Sequence, residues 1–393
     1  MFRARTAALV AASLALAACT ASGGSPREDE GTSGTRTTSS PSPAARGTTV
    51  PGADWDRTDA AAAGFDGAAL RALDRRLEAD GTSCFVVTRD GEVVHEAYFG
   101  DSTADSMGPT FSVTKSFTSL LVGIAADEGL LDLDDRASDY VSEWKGTPAA
   151  RVTVRDLLAN VSGRHWDFVS DYQQLALAAR DKTAYAIGLT QDARPGRVWR
   201  YNNAAIQTLD EVLTKATGTK PAAYAREKLL DPLTMSRTFW GEDPSGNTTM
   251  FSGVNASCLD LARLGLLTMR DGRWGATQVV SEDYMGQATG RSSSPLNAAY
   301  GLLWWVNRKG PVLGALTATD PGADRQGGAA TRKGGRLAPG APADAFWALG
   351  LGKQVVAVVP SERIVAVRMG AAPQDPDALT PGAFTSDVLA ALR

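Results

Sequence analysis

The chain has 393 residues, 43% of them hydrophobic, with 40 Lys and Arg against 44 Asp and Glu and a net charge of -4. That is enough chain for a large buried core, and the near balance of charge argues against nucleic acid or another polyionic partner. Two histidines, His95 and His165, leave little material for His-based hydrolysis or a metal centre.

The chain opens with Arg3 and Arg5, an apolar run from Ala7 to Ala18, and Cys19. Residues 1–18 read as a signal peptide, too short for a membrane span. Leu16-Ala17-Ala18-Cys19 resembles the lipobox of bacterial lipoproteins. This resemblance implies cleavage before Cys19, lipidation of Cys19, and an extracytoplasmic protein anchored to the cell membrane. Residues 19–53 are rich in Ser, Thr, Gly and Pro and are expected to form a disordered linker. The folded domain is expected over 54–393.

"GFDGAALRALDRRLEAD" (64–80) has apolar residues at helical spacing and Asp66 as a cap. "SCFVVTRDGEVVHEAYFG" alternates on both sides of Asp90-Gly91, a hairpin signal. After Ser112 the apolar positions Phe117, Leu120, Leu121 and Ile124 recur at helical spacing. Helical patterns follow in "TVRDLLANVSG", "DKTAYAIGL", "NAAIQTLDEVLTKATG", "PAAYAREKLL" and "ASCLDLARLGLLTMRDG". Strand character returns in "GLLWWVNR", "AFWALGLG", "KQVVAVVP" and "RIVAVRMG", before a last helix in "PGAFTSDVLAALR". The fold class is therefore α+β: early and late strands join one antiparallel sheet flanked by helices, with a helical insertion lobe and a cleft at the junction. The Gly-, Pro- and Arg-rich run 320–344 is too long for a simple turn and reads either as a mobile loop near the site or as an insertion, with the second preferred. Cys84 and Cys258 could pair in an oxidising compartment, but their apolar surroundings favour buried free thiols.

Several chemistries fail on spacing. His95-Glu96 would need a second His where Phe99 stands. Gly100-Asp101-Ser102 would need a downstream His as base, and none follows His165. The chain has no Gly-x-Ser-x-Gly elbow, phosphate loop or dinucleotide fingerprint. Neither metal nor cofactor is implied.

Ser112 and Lys115 remain. Serine needs a base to attack, and lysine serves when burial destabilises its charge. At i and i+3 on a helix the two side chains share a face. Ser112 is expected in the helix's first turn, where backbone N–H groups favour negative charge. A second Ser-x-x-Lys, Ser142 to Lys145, shows that the pattern alone decides nothing; that copy lies among charges next to Gly146. Tyr201-Asn202-Asn203 is the chain's one Tyr-x-Asn. It reads either as a helix cap or as a tyrosinate relay, with Asn203 bonding the lysine and the substrate amide.

Together these segments resemble the serine hydrolase superfamily of class C β-lactamases, D,D-peptidases and related esterases, over most of 55–393. "FSVTKSFTSLLVGIAADEGLLDLDD", "VTVRDLLANVSG" and "PGRVWRYNNAAIQTL" carry the resemblance. "SVTKSFTSLLVGIA" and "FWALGLGKQVVAVVPSERIVAVRMG" look most like the branch containing 6-aminohexanoate-dimer hydrolase. The resemblance implies a β-lactamase-like fold, Ser112 as acyl-enzyme nucleophile, Lys115 as its base and Tyr201 as proton shuttle. It also implies an oxyanion hole from the backbone N–H of Ser112 and one from a late strand, assigned to Leu351. Where penicillin-recognising members carry Lys-Thr-Gly or His-Thr/Ser-Gly, this chain has Ala348-Leu349-Gly350. Gly350 is kept; the cation and hydroxyl are lost, and Lys333-Gly334-Gly335 is a poor substitute. The expected substrate is a small ester or amide, less anionic than penicillin. The alternatives are a penicillin-binding protein or β-lactamase, and a non-catalytic envelope lipoprotein of the same fold. Trp166, Asp167 and Tyr172 are expected to line the cleft.

Overall fold

A computed structural model describes residues 50–316, 332–375 and 378–393. The expected signal peptide, the lipidated Cys19, almost all of the linker and the 320–331 part of the Gly-rich run lie outside the described residues.

Helix α1 (Gly67–Ala79) starts where predicted: Asp66 accepts from the backbone N–H groups of Ala68 and Ala69, and Leu70, Leu73 and Leu77 turn inward. Strands β1 (Thr82–Arg89) and β2 (Glu92–Tyr98) follow as the predicted hairpin. Asp90 and Gly91 between them both have positive φ, 57° and 91°, which is the backbone a two-residue Asp-Gly turn demands. The remaining strands of the main sheet come late: β3 (Trp305–Val306), β4 (Phe346–Gly350), β5 (Gln354–Val359) and β6 (Ile364–Gly370). The spatial order is β2-β1-β6-β5-β4-β3, with antiparallel pairing throughout. The expected joining of early and late strands is thus a direct β1–β6 pairing, from Arg89 opposite Ile364 to Thr82 opposite Gly370.

Because strand residues alternate, the register divides the sheet into two faces. Val356, Val365, Val367, Val86 and Cys84 share one face, against helix α4 (Cys258–Met269). At Gly265 of α4 a methyl group would come within 2.3 Å of Val365 Cγ1, so glycine sets how closely this helix lies on the sheet. The other face carries Phe85 and Trp347 toward helix α5 (Pro381–Leu389): the rings of Phe85 and Phe384 are 5.9 Å apart, and Trp347 Nε1 donates to Thr385 Oγ1 at 2.9 Å. Between β2 and β3 the chain is mainly helical, including helices α2 (Thr114–Asp127) and α3 (Asn203–Gln207). All of this forms one α+β unit.

Three expectations need correction. Cys84 and Cys258 are not free thiols but a disulfide, with Cα atoms 6.3 Å apart at a sequence separation of 174. Apolar surroundings suit thiol and disulfide equally; the packing of the α4 N-terminus on the Cys84 face of β1 decides between them. The "TVRDLLANVSG" helix spans only Val154–Leu158, because Asn160 takes a positive φ of 59°. The "GLLWWVNR" strand shrinks to Trp305–Val306 behind a turn with Leu303 at φ 62°. Within the Gly-rich run, Arg332–Gly335 pairs with Gly310–Val312.

Candidate active site

Ser112 sits in a single 3-10 turn, Phe111–Val113, just before α2 rather than inside its first α-turn. Phe111 is held at φ 48°, a conformation a bulky residue keeps only where its surroundings enforce it. Here the enforcing element is Val254. Its carbonyl accepts from Thr110 N (3.0 Å) and Thr110 Oγ1 (2.9 Å), and its N–H donates to Thr114 Oγ1 at 3.0 Å. Helix α2 is buried from Thr114 to Ala125. Its polar side chains are satisfied locally: Ser116 and Ser119 bond the carbonyls of Leu303 and Leu302, and Thr118 that of Met250.

Lys115 is 1% exposed. Its Nζ donates to Ser112 Oγ at 2.8 Å and to the Phe251 carbonyl at 3.0 Å. It lies 4.6 Å from the centroid of the Tyr201 ring. Burial pulls its pKa down to about 7, and only the more distant charge of Asp171 opposes that. An amine so placed is substantially neutral at physiological pH. The decoy pair behaves differently: Ser142 and Lys145 are exposed, and Ser142 Oγ bonds Glu143.

The Tyr201 hydroxyl is the other polar neighbour of Ser112. Its ring is boxed by Trp305, stacked at 5.7 Å, and by Tyr300 and Trp199 at 6.0 and 6.5 Å. Burial raises its pKa well above the usual phenol value, so the group is a phenol at rest and not the tyrosinate the sequence suggested. Asn202 fills the capping role, accepting from Ala205 N at 2.8 Å. Asn203 is 3% exposed and donates Nδ2 to Asp171 at 2.9 Å. Its partner is that carboxylate rather than Lys115, whose second acceptor is the Phe251 carbonyl.

The opposite wall is the end of β4, which packs on the Ser112 turn. A Cβ at Gly350 would stand 2.3 Å from the Thr110 carbonyl oxygen, so the two backbones touch. Leu351 follows, its side chain 70% exposed. Its turn is fixed from below: Gln354 Nε2 donates to Leu351 O at 3.0 Å, and buried Arg368 donates Nη1 to Gly352 O at 2.7 Å. Trp166 reaches Asn203 through Asp171, Tyr172 bonds Asn203 directly, and Tyr172 stacks on half-exposed Phe168 at 5.1 Å. Asp167 instead serves His165, whose ring nitrogens meet Asp167 at 2.8 Å and Asp192 at 2.7 Å. His95 is held by Asp74 at 2.7 Å. A cavity of about 710 Å³ lined by Trp144, Arg164 and Gln191 includes none of Ser112, Lys115 and Tyr201 in its walls. Among the described residues no group of His, Cys, Asp and Glu side chains is arranged to hold a metal ion.

The sequence missed two members of this arrangement. One is the Phe251 carbonyl, a backbone atom with no side-chain signature. The other is Asp171, which reaches Asn203 across a separation of 32 positions.

Comparison with known proteins supplies the relationship. A Beta-lactamase family model matches residues 67–380. The 6-aminohexanoate-dimer hydrolase of Paenarthrobacter ureafaciens is 25% identical over 277 residues, covering 62% of this chain and 69% of that protein. Among solved structures, a Bacillus anthracis protein assigned provisionally as a 6-aminohexanoate-dimer hydrolase superposes with a TM-score of 0.65 at 20% identity, covering 81% of this chain and 80% of that one. The octameric penicillin-binding protein homologue of Pyrococcus abyssi gives a TM-score of 0.59 at 19% identity, covering 81% and 76%.

Proposed function

The chain belongs to the beta-lactamase family, and from that premise we propose that it hydrolyses carboxylic esters or amides through an acyl-enzyme on Ser112. The observation that carries the reading is the 2.8 Å contact between Ser112 Oγ and a buried lysine with a pKa of about 7. In this scheme neutral Lys115 takes the Ser112 proton as Oγ attacks the carbonyl carbon. The backbone N–H groups of Ser112 and Leu351 receive the oxyanion. The Tyr201 phenol passes its proton to the leaving oxygen or nitrogen and regains one from the Lys115 ammonium. Water then enters, and the same groups return the protons as the acyl bond to Ser112 breaks. Asn203 lines the acyl side of the site.

Ala348-Leu349-Gly350 supports a substrate without an essential carboxylate, since this strand end offers neither cation nor hydroxyl. Exposed Leu351 adds apolar surface beside it. The lipobox-like Leu16–Cys19 segment extends the proposal to an extracytoplasmic, lipid-anchored hydrolase. The Cys84–Cys258 disulfide fits such an oxidising compartment.

The test is a panel of nitrophenyl esters, linear amides and β-lactams, run on wild type and Ser112→Ala, with fluorophosphonate labelling read by mass spectrometry. Ester turnover and an adduct on the Ser112 peptide are expected, both absent from the Ala variant. No turnover and no adduct would refute the hydrolase reading. Strong labelling by fluorescent penicillin would move the assignment to a penicillin-binding protein.

Gly350→Ala tests the β4 wall separately. The added methyl collides with the Thr110 carbonyl and pushes the Leu351 N–H away from the serine. Ester kcat/KM should fall on the order of 10²-fold, with the disulfide and overall fold retained by mass spectrometry and circular dichroism. A variant within about twofold of wild type would remove Leu351 from the oxyanion hole.

A further inference from the structure

The scheme above leaves Asp171 without a task. Its carboxylate is 1% exposed, and its four donors are all neutral. Ala204 N bonds Oδ1 at 2.9 Å, while Asn203 N (3.2 Å), Asn203 Nδ2 (2.9 Å) and Trp166 Nε1 (3.2 Å) converge on Oδ2. Burying a carboxylate among neutral groups is unfavourable unless it is well bonded, so such a group invites a functional explanation. Two observations supply one. Three of its four bonds go to Asn203 and Ala204, two and three residues after Tyr201, so the carboxylate ties down the turn that carries the relay. The cation whose field it feels is Lys115.

We propose that Asp171 is a positioning residue: it clamps the Tyr201–Asn203 turn over the Ser112–Lys115 pair and places a negative charge behind Lys115 that steadies the ammonium formed when Ser112 is deprotonated. The proposal rests on the Ser-Lys hydrolase reading. The other titratable groups facing the pair are Tyr201 and Tyr172. Burial keeps both as phenols, with Tyr172 pushed up to about 12. Ser112, Trp166, Asn203 and the Phe251 carbonyl are neutral. Asp171 is therefore the charge that sets the sign. Burial raises its own pKa to about 6, so it is mostly ionised at neutral pH and holds the Lys115 proton more tightly than burial alone would.

Asp171→Asn removes the charge and keeps one acceptor oxygen; Asp171→Glu keeps the charge and displaces it. Lys115 is followed by NMR titration of protein carrying 13C-labelled lysine, its signal assigned by its loss in Lys115→Met. In the Asn variant the Lys115 midpoint should drop by roughly one pH unit, and the acid limb of ester kcat/KM should move the same way. Its kcat should fall on the order of tenfold with KM nearly unchanged. In the Glu variant the midpoint should stay near that of wild type while kcat still falls. A merely structural role would lower the thermal midpoint of both variants and leave the Lys115 titration in place. An unmoved Lys115 midpoint in a folded Asn variant overturns the proposal whatever the wild type hydrolyses. If the midpoint moves but wild type turns over nothing and takes no fluorophosphonate, the Asp171–Lys115 coupling stands and the hydrolase reading is what fails.

Discussion

Lys115→Met should lower ester kcat/KM on the order of 10³-fold, the range expected when a general base is removed, while the protein stays folded. Methionine fills nearly the same volume in the same apolar shell, so the loss reports chemistry rather than a cavity. The wild-type rate should climb as pH rises through about 7, where Lys115 loses its proton; the Met variant should lack that limb. Stability should move in the same direction as the rate. The folded chain depresses the lysine pKa and the unfolded chain does not, so between about pH 7 and about pH 10 the unfolded chain binds more protons and wild-type stability rises with pH. Methionine removes this dependence, and the Met variant should melt at or above the wild-type temperature at pH 7. A Met variant that keeps more than about a tenth of wild-type activity would exclude Lys115 as the base.

The second large effect concerns the disulfide. Cys84→Ser with Cys258→Ser should cost about 2–5 kcal/mol, because the bond closes a loop with a sequence separation of 174. That corresponds to a Tm lower by roughly 3–7 °C for a domain of this size. Both sulfur-bearing residues are almost fully buried, so reductant should act on wild type only slowly and then reproduce the shift, without effect on the double variant. Activity at room temperature should remain within about twofold, since the bond joins α4 to the sheet and not to Ser112. Equal melting of wild type and double variant would mean that the sulfurs are not bonded in solution.

What the sequence made legible follows from the range over which each feature is determined. The Asp66 cap, the Asp90-Gly91 turn and the Ser112–Lys115 spacing are local; the first two lie where the sequence puts them, and Ser112 meets Lys115 as the spacing predicts, although from a 3-10 turn ahead of the helix. Tyr201 joins the pair because its Tyr-x-Asn context is itself a local pattern. The features missed are non-local or depend on backbone. Cys84 meets Cys258 only because α4 crosses one face of β1. Asp171 lies in the helical turn Val169–Ala178 with no sequence signature of its own, and its partner Asn203 lies 32 positions on. The protonation of Tyr201 depends on an aromatic box drawn from Trp199, Tyr300 and Trp305, which no spacing rule brings together.

Under the proposed hydrolase function, the β1–β6 pairing also sets when Ser112 can act. Two adjacent strands of the sheet are far apart along the chain, and contacts such as Arg368 to Thr82 join residues 286 positions apart. Sheets closed by such distant partners form slowly, and their first strand waits with an open apolar edge. Ser112 and Lys115 leave the ribosome long before β4 does. Until β4 arrives, the nascent chain carries a serine beside its lysine but no opposing strand, no second N–H donor and no dry pocket to lower the lysine pKa. In that reading, topology keeps Ser112 latent until β4 is in place.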